Sequence, residues 1–438
     1  RCSCAGGKGQ IQGQERLIDA QLGVETALRR FERYNPKDRI LALDRLLVVL
    51  EELGNPHLDL PSVIHVAGTN GKGSTVAFIR AMAEAAGLSV HTSTSPHLVR
   101  FNERIRLAGK LIEDDYLVSC LERVEAALLG HRQITHFEAA QAASFLAFHE
   151  TPADLLILEV GLGGRYDASN VIEAAACSVF CPIDLDHQAF LGNTISKIAT
   201  DKAGILKPGC PAVSAIQGAE AKEALEAESR RVGGHIEFLS ADDIDLIRSP
   251  LGLWGEHQFA NAALAAKALK TANIQGITGG AIAQGAASAR WPARMQRLSD
   301  GPVTALSGGV PVWLDGGHNP HAGRALSAVL DTLDSEEPAK RTMLVSAMLD
   351  NKDARGFFAS LMRSGLKVFT CPIDGNENSF TPEALADAAR EAGASGAPYQ
   401  SFEAAMKAAR DAGAERILIC GSLYLAGKVL AMNDELPD

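Results

Sequence analysis

The sequence predicts an α/β protein of two domains, each a mostly parallel sheet covered by helices, on three observations. A short β run, a glycine-rich turn and a helical pattern follow one another across residues 63–86. Near-continuous apolar runs then alternate with helical patterns, as strands covered on both faces require. At Arg290-Trp291-Pro292 the pattern breaks, and a second αβ alternation begins.

The length of 438 residues exceeds one ordinary core and asks for at least two domains. Residues 1–14, rich in Gly and Gln, read as a flexible tail. The first domain is expected over 15–290 and the second, smaller one over 291–438. Segment 15–54 has apolar residues at helical spacing and stops at Gly54-Asn55-Pro56. The first sheet is expected to use strands at 63–66, 155–160, 177–181 and 212–215, in that order. Helical patterns lie at 75–86, 138–149, 258–272 and 279–289. The second sheet is expected to use strands near 311–315, 342–347, 367–371 and 416–420.

Hydrophobic content of 46% and charged content of 22% suit a globular core, and no stretch approaches the roughly 20 apolar residues of a membrane span. A net charge of −11 argues against a nucleic-acid footprint but permits a locally basic anion site. The eight cysteines are scattered, without the paired CxxC spacing of a zinc site. Cys177 and Cys181, in a strand-like run, read as buried free thiols. With no export signal, the expected compartment is the reducing cytoplasm.

Gly68-Thr69-Asn70-Gly71-Lys72-Gly73-Ser74 follows the first strand and opens a helix. Glycines let backbone N–H groups turn inward around phosphate oxygens, the helix N-terminus adds its positive dipole end, and Lys72 would reach the outer phosphates. The first domain is thus P-loop ATPase-like. The loop is shorter than the standard one, and Gly73 separates Lys72 from Ser74, which leaves open whether Ser74 ligates Mg²⁺.

Glu159 ends the 155–160 strand, where open α/β sheets face their ligands, so its carboxylate is placed to hold a metal beside the phosphates. Gly161-Leu162-Gly163-Gly164 has the wrong spacing for a dinucleotide fingerprint and no helix start after it. Asp184-Leu185-Asp186-His187 follows the next strand; His187 is a candidate metal ligand, although imidazole is unusual for Mg²⁺. Lys202 reads, on pattern alone, as an exposed helical lysine. In the second domain Asp315, His318 and Asn319-Pro320 close a Rossmann-like strand, a carboxylate and an imidazole in the expected crevice with a helix-capping turn.

Taken in order, HVAGTNGKGS, TSPHLVRFNERIR, HFE, EVGLGGRYDASN, DHQAFLGNTISKIATDKAGILKPG, GEHQFANAALA, WPARMQ, LDGGHNP and GSLYLAG resemble the folylpolyglutamate synthase/dihydrofolate synthase family, within the Mur-ligase-like ATP ligases. The resemblance implies an amide ligase of the bifunctional bacterial type. Its substrates would be ATP, L-glutamate, dihydropteroate and reduced folates, and it would act as a monomer without nucleic acid or membrane. It implies that Gly68–Ser74, Asn261, Arg294 and Asp315 contact ATP. Ser95, Glu159, His187 and a carbamylated Lys202 would hold two Mg²⁺ ions, and Lys72, Lys202 and His318 would serve catalysis. Thr135, Phe137 and Asp167 match a pterin pocket, Phe137 stacking on the ring and Asp167 accepting its N–H groups. His136 and Tyr166 depart from the family's usual residues there.

Rival readings are a ligase confined to polyglutamate extension, a Mur ligase of UDP-muramyl substrates, a hydrolytic P-loop switch and a non-catalytic nucleotide binder. A Mur ligase would normally carry a further domain ahead of Val63, and a switch would leave the Asp315/His318 turn unexplained.

Overall fold

The computed structural model describes residues 23–36, 42–130, 132–248, 250–337 and 341–437. The expected tail at 1–14 and the start of the 15–54 helical segment lie outside them. Within that segment the helical path breaks after the 3₁₀ turn Arg30–Tyr34, where Asn35 is extended ahead of Pro36, because the proline ring disfavours a helical residue before it. A separate helix, Asp44–Glu52, follows.

The first sheet has eight strands: β1 (Ser62–Ala67), β2 (Val90–Ser93), β3 (Ile105–Leu107), β4 (Lys110–Leu111), β5 (Leu155–Glu159), β6 (Cys177–Phe180), β7 (Pro211–Ser214) and β8 (His235–Phe238). Their spatial order is β4-β3-β2-β5-β1-β6-β7-β8. The expected strands are all present, but they are the first, fifth, sixth and seventh rather than consecutive. β2, Val-His-Thr-Ser, carries too little apolar character to stand out. It is buried between β3 and β5, and its buried imidazole is satisfied there: His91 donates to the Thr151 carbonyl at 2.9 Å and receives the Ala108 amide at 2.9 Å. β3 and β4 form an antiparallel edge on an otherwise parallel sheet.

The order matters for the site. β1 lies between β5 and β6, pairing Val66 with Glu159 and Ala67 with Phe180. The loops that leave these three strands therefore open side by side. On one face of the sheet the helices Lys72–Ala85, His257–Thr271 and Gly279–Ser288 bury Ile64, Val66, Val76 and Leu264. Gly285 permits a close helix pair, since a Cβ there would lie 2.4 Å from the Met82 backbone. On the other face the helices Asp114–Ala127 and His136–Glu150 pack over Val63, Leu156 and Leu158.

The second sheet has six strands: β9 (Gln296–Arg297), β10 (Val312–Leu314), β11 (Thr342–Ser346), β12 (Lys367–Thr370), β13 (Ser395–Pro398) and β14 (Arg416–Cys420), ordered β13-β12-β11-β14-β10-β9. The four expected strands are there, parallel. β9 adds an antiparallel edge, and β13, Ser-Gly-Ala-Pro, is a strand only by pairing with β12. The two lobes meet closely. The helix Leu423–Met432 presents Gly427 to Leu98, where a Cβ would stand 1.9 Å from the Leu98 carbonyl oxygen. Trp254 packs edge-on against Trp313 of β10, with ring centroids 5.1 Å apart.

Candidate active site

The phosphate loop joins β1 to its helix with left-handed or open backbone at Gly68 and Gly71. Side chains are excluded on three sides: a Cβ at Gly68 would meet Cys181 at 2.6 Å, at Gly71 the Asn261 amide oxygen at 2.8 Å, and at Gly73 the Trp291 ring at 2.7 Å. Not every loop amide turns inward as expected. Thr69 and Asn70 donate their N–H groups to the Pro182 carbonyl, at 2.9 and 3.3 Å, and so tie the loop to the end of β6. The amides left free to meet an anion are the first of the helix, Lys72 to Ser74, which have no intrahelical partner. Lys72 Nζ folds back over the loop, donating to the Gly68 and Thr69 carbonyls at 3.1 and 3.4 Å.

Beside the loop, Glu159 is buried at the end of β5 and accepts the Ser95 amide at 3.2 Å. Burial raises its pKa, opposed by the nearby Lys72 cation. His187 stands after β6 in a left-handed conformation. Its side chain is exposed on one side, yet the desolvation imposed by its neighbours lowers its pKa to about 4, with Asp186 opposing and Lys352 and Lys72 reinforcing, so the imidazole is neutral at pH 7. Among the described residues no three His, Cys, Asp or Glu side chains gather closely enough to hold a metal by themselves. The expected set contains only two such groups. A buried carboxylate with one hydrogen bond and a neutral imidazole nonetheless have the chemistry of metal donors, and Ser95 adds a hydroxyl.

Lys202 corrects its simplest reading, for it is not an exposed helical lysine. It ends the helix Ile195–Lys202 and is buried, its backbone pressed against Gly164, where a Cβ would lie 2.6 Å from the Lys202 carbonyl. Burial lowers its pKa to about 7, and repulsion from Lys72 adds to the effect.

From the second lobe, Asp315 and His318 follow β10. Asp315 is engaged structurally, accepting the Met295 amide at 2.8 Å and the Gly317 amide at 2.7 Å, with Arg294 nearby. His318 Nδ1 donates to the Gly316 carbonyl at 2.8 Å. Burial brings its pKa to about 4, Lys352 adding to the fall, so the neutral ring keeps Nε2 as an acceptor. Asn319 caps its helix as expected.

A cleft on the other side of Ser95 and Pro96 is lined by Thr135, Phe137, Tyr166, Asp167 and Phe190. Thr135 caps the helix His136–Glu150, and its Oγ1 accepts the Glu138 amide. Asp167 has less freedom than expected. It accepts the amides of Gly161 (3.0 Å), Leu162 (2.9 Å) and Ser169 (3.0 Å) and the Ser169 hydroxyl (2.5 Å). Those four bonds fill the acceptor sites of a carboxylate. His136 makes an edge contact with Phe101 at 6.0 Å, and Tyr166 is largely exposed.

The sequence pattern assigns none of three further residues of this region to the site. Arg104, inside NERIR, reaches both this cleft and a smaller pocket that opens on Glu159; its Nε donates to His97 at 2.9 Å. Lys352, just beyond β11, donates to Asp186 at 2.7 Å. Trp291 lies on the phosphate loop. For Lys352 the signal was its place after a parallel strand, the end that faces ligands.

A family model described as the dihydrofolate synthetase C-terminal domain matches residues 304–432. The chain is 34% identical to a folylpolyglutamate synthase of Lacticaseibacillus casei over 417 residues, covering 88% of this chain and 92% of that one. The chain belongs to the folylpolyglutamate synthase/dihydrofolate synthase family. Another family member, the dihydrofolate synthase/folylpolyglutamate synthase of Bacillus subtilis, is 32% identical over 88% of this chain and 94% of its own. A Mycobacterium tuberculosis folylpolyglutamate synthase complexed with ADP superposes with a TM-score of 0.82 at 28% identity, over 96% of this chain and 100% of that one. A bifunctional enzyme of the family with Mn, AMPPNP and L-glutamate bound gives 0.78 at 28% identity, over 93% and 97% of the two chains.

Proposed function

We propose that the chain is an ATP-dependent C–N ligase that joins L-glutamate to dihydropteroate and to the γ-carboxylate of reduced folate glutamates. The observation that carries this reading is a junction. The aromatic cleft around Phe137 and the cleft between the lobes share Ser95 and Pro96, next to Glu159 and the phosphate loop. A long substrate with a ring at one end and a carboxylate at the other fits that path, its carboxylate arriving where the terminal phosphate of ATP would stand.

The carboxylate oxygen attacks the γ-phosphorus in line, ADP leaves, and an acyl phosphate forms. Catalysis here is positioning and charge neutralisation by Lys72 and the helix amides. Ser95, Glu159 and His187 would hold one Mg²⁺ and the carbamate of Lys202 a second, and such ions would neutralise phosphate charge. A lysine with its pKa near 7 has the neutral amine that reaction with CO₂ requires. Asn261, Arg294 and the Asp315 turn frame the nucleotide, and Thr135, Phe137 and Asp167 the pterin. With Asp167 filled, its part is to hold the Gly161-Leu162 wall. The glutamate amine then attacks the acyl carbonyl, and the tetrahedral intermediate loses a proton and phosphate to leave the amide. His318, with Nε2 free, orients that intermediate. We take residue 291 as the boundary between the two domains and the active form as a monomer in the cytoplasm. The six described cysteines are unpaired, in keeping with that compartment.

Incubation with ATP, Mg²⁺ and glutamate, plus dihydropteroate or tetrahydrofolate in parallel, tests the reading. Glutamate-dependent product from both is expected; product from tetrahydrofolate alone would confine the enzyme to polyglutamate extension, and none from either would refute the assignment. His318→Ala should lower turnover and leave ADP affinity intact.

A further inference from the structure

The second lobe reaches the phosphate loop through a side chain whose orientation is fixed. Asn319 caps the helix Pro320–Glu336, and its Oδ1 accepts the Ala322 amide at 2.9 Å. Its Nδ2 must therefore point the other way. There it donates to Asn70 Oδ1 at 3.1 Å and to Asp186 Oδ2 at 3.3 Å. Asn70, presenting its oxygen to Asn319, turns its own Nδ2 elsewhere, and that atom is buried with no hydrogen-bond partner. A buried donor without a partner is costly, and a ligand oxygen would relieve the cost. On the far side, the other oxygen of Asp186 accepts Lys352 at 2.7 Å, both side chains being about nine-tenths buried (12% and 10% exposed).

We infer that Asn319 is a positioning residue that couples the terminal phosphate of the nucleotide to docking of the second lobe, with Asn70 as the shared contact. The inference rests on the nucleotide reading of the loop. The terminal phosphate is the relevant one because it must face the cleft from which the carboxylate attacks, and Asn70 lies on the side of the loop that meets the second lobe. Docking of Asn319 holds the Asn70 oxygen outward and so aims its amide nitrogen at the phosphate site. By linkage, a phosphate that engages that nitrogen favours the docked lobe to the same degree. A diphosphate lacks the group and gains nothing from docking.

The test uses the full chain with Mg²⁺ and compares affinity for ADP with affinity for β,γ-methylene ATP. Asn319→Asp keeps a helix-capping oxygen and removes both donations; Asn319→Ser does the same without adding charge. Each variant should lower the triphosphate-to-diphosphate affinity ratio about tenfold; Asn319→Ser should keep ADP affinity and thermal midpoint close to the parent, whereas Asn319→Asp should also lower the thermal midpoint by repelling Asp186. An unchanged ratio in Asn319→Ser, or equal losses for the two nucleotides, would overturn the coupling. A parent chain that binds neither nucleotide would overturn the nucleotide reading itself, and the inference with it.

Discussion

Replacing Lys202 with Met removes a buried amine while keeping most of the side chain's packing. Burial and Lys72 lower the folded-state pKa from 10.5 to about 7. At pH 7 the neutral fraction thus rises from roughly one in three thousand to about one half. The sign follows from proton counting. The folded pKa lies below the unfolded one, so between about pH 7 and pH 10.5 the unfolded chain holds the extra proton. Stability therefore rises with pH across that window, and the cost of burying the amine is largest below pH 7. That cost is about 4 kcal/mol at pH 7 and about 1 kcal/mol at pH 9.5. Any packing difference between Lys and Met is independent of pH, so the change in the gap isolates the titration. Urea unfolding in CO₂-free buffer should show Lys202→Met more stable than the parent at pH 7 relative to pH 9.5, the gap narrowing by about 3 kcal/mol. A gap that stays constant within about 1 kcal/mol would refute the reasoning. Bicarbonate should stabilise the parent alone, because only the folded chain offers the neutral amine near pH 7, and the Met variant should lose turnover at both pH values.

Glu159→Gln removes the buried carboxylate at the end of β5 and should cut turnover about a hundredfold or more while raising the Mg²⁺ needed for half-maximal rate; an unchanged Mg²⁺ dependence would remove Glu159 from the metal site. Gly73→Ala places a methyl 2.7 Å from Trp291, and should lower stability by about 1–3 kcal/mol in urea together with weaker ADP binding by calorimetry. Phe137→Ala should raise KM for dihydropteroate about tenfold, in line with ring stacking of about 1–3 kcal/mol, with ADP affinity as the unaffected control.

The parts of the fold that could be read from sequence were those whose residues state their own environment. β5, Leu-Leu-Ile-Leu-Glu, is apolar up to the carboxylate that ends it, and the glycine loop after β1 can do little except turn. β2 and β13 were invisible because their strand character comes from neighbours: from pairing with β5 and β3 in one case and with β12 in the other. The site was legible where one residue type suffices for one role, as with Lys72 and Glu159. It was not legible where a role depends on who else is present. Lys202 looked exposed because its helix gives no sign that Gly163 and Gly164 will cover it. Asp167 looked available because four donors, all within eight residues of it, do not declare their direction in a one-dimensional string. Lys352 and Asp186 stand 166 positions apart, and neither signals the other.

That separation has a further consequence, one for biogenesis. β1 is flanked by β5 and β6, so the phosphate loop lacks its flanking strands until the chain has been made through Phe180, and its Asn261 and Trp291 walls follow later. The docking contacts of Asn319 and Lys352 come later still. A nascent chain emerging from the ribosome therefore carries β1 unpaired on both edges from Ala67 until β5 begins at Leu155, and over that stretch it cannot gain stability from ATP. Such long-range pairing slows folding and leaves intermediates open to aggregation. Ligand rescue of a destabilised variant should accordingly act only after release, on the finished chain, and chaperone dependence should be set by the first half of the sequence rather than by the lobe that completes the site.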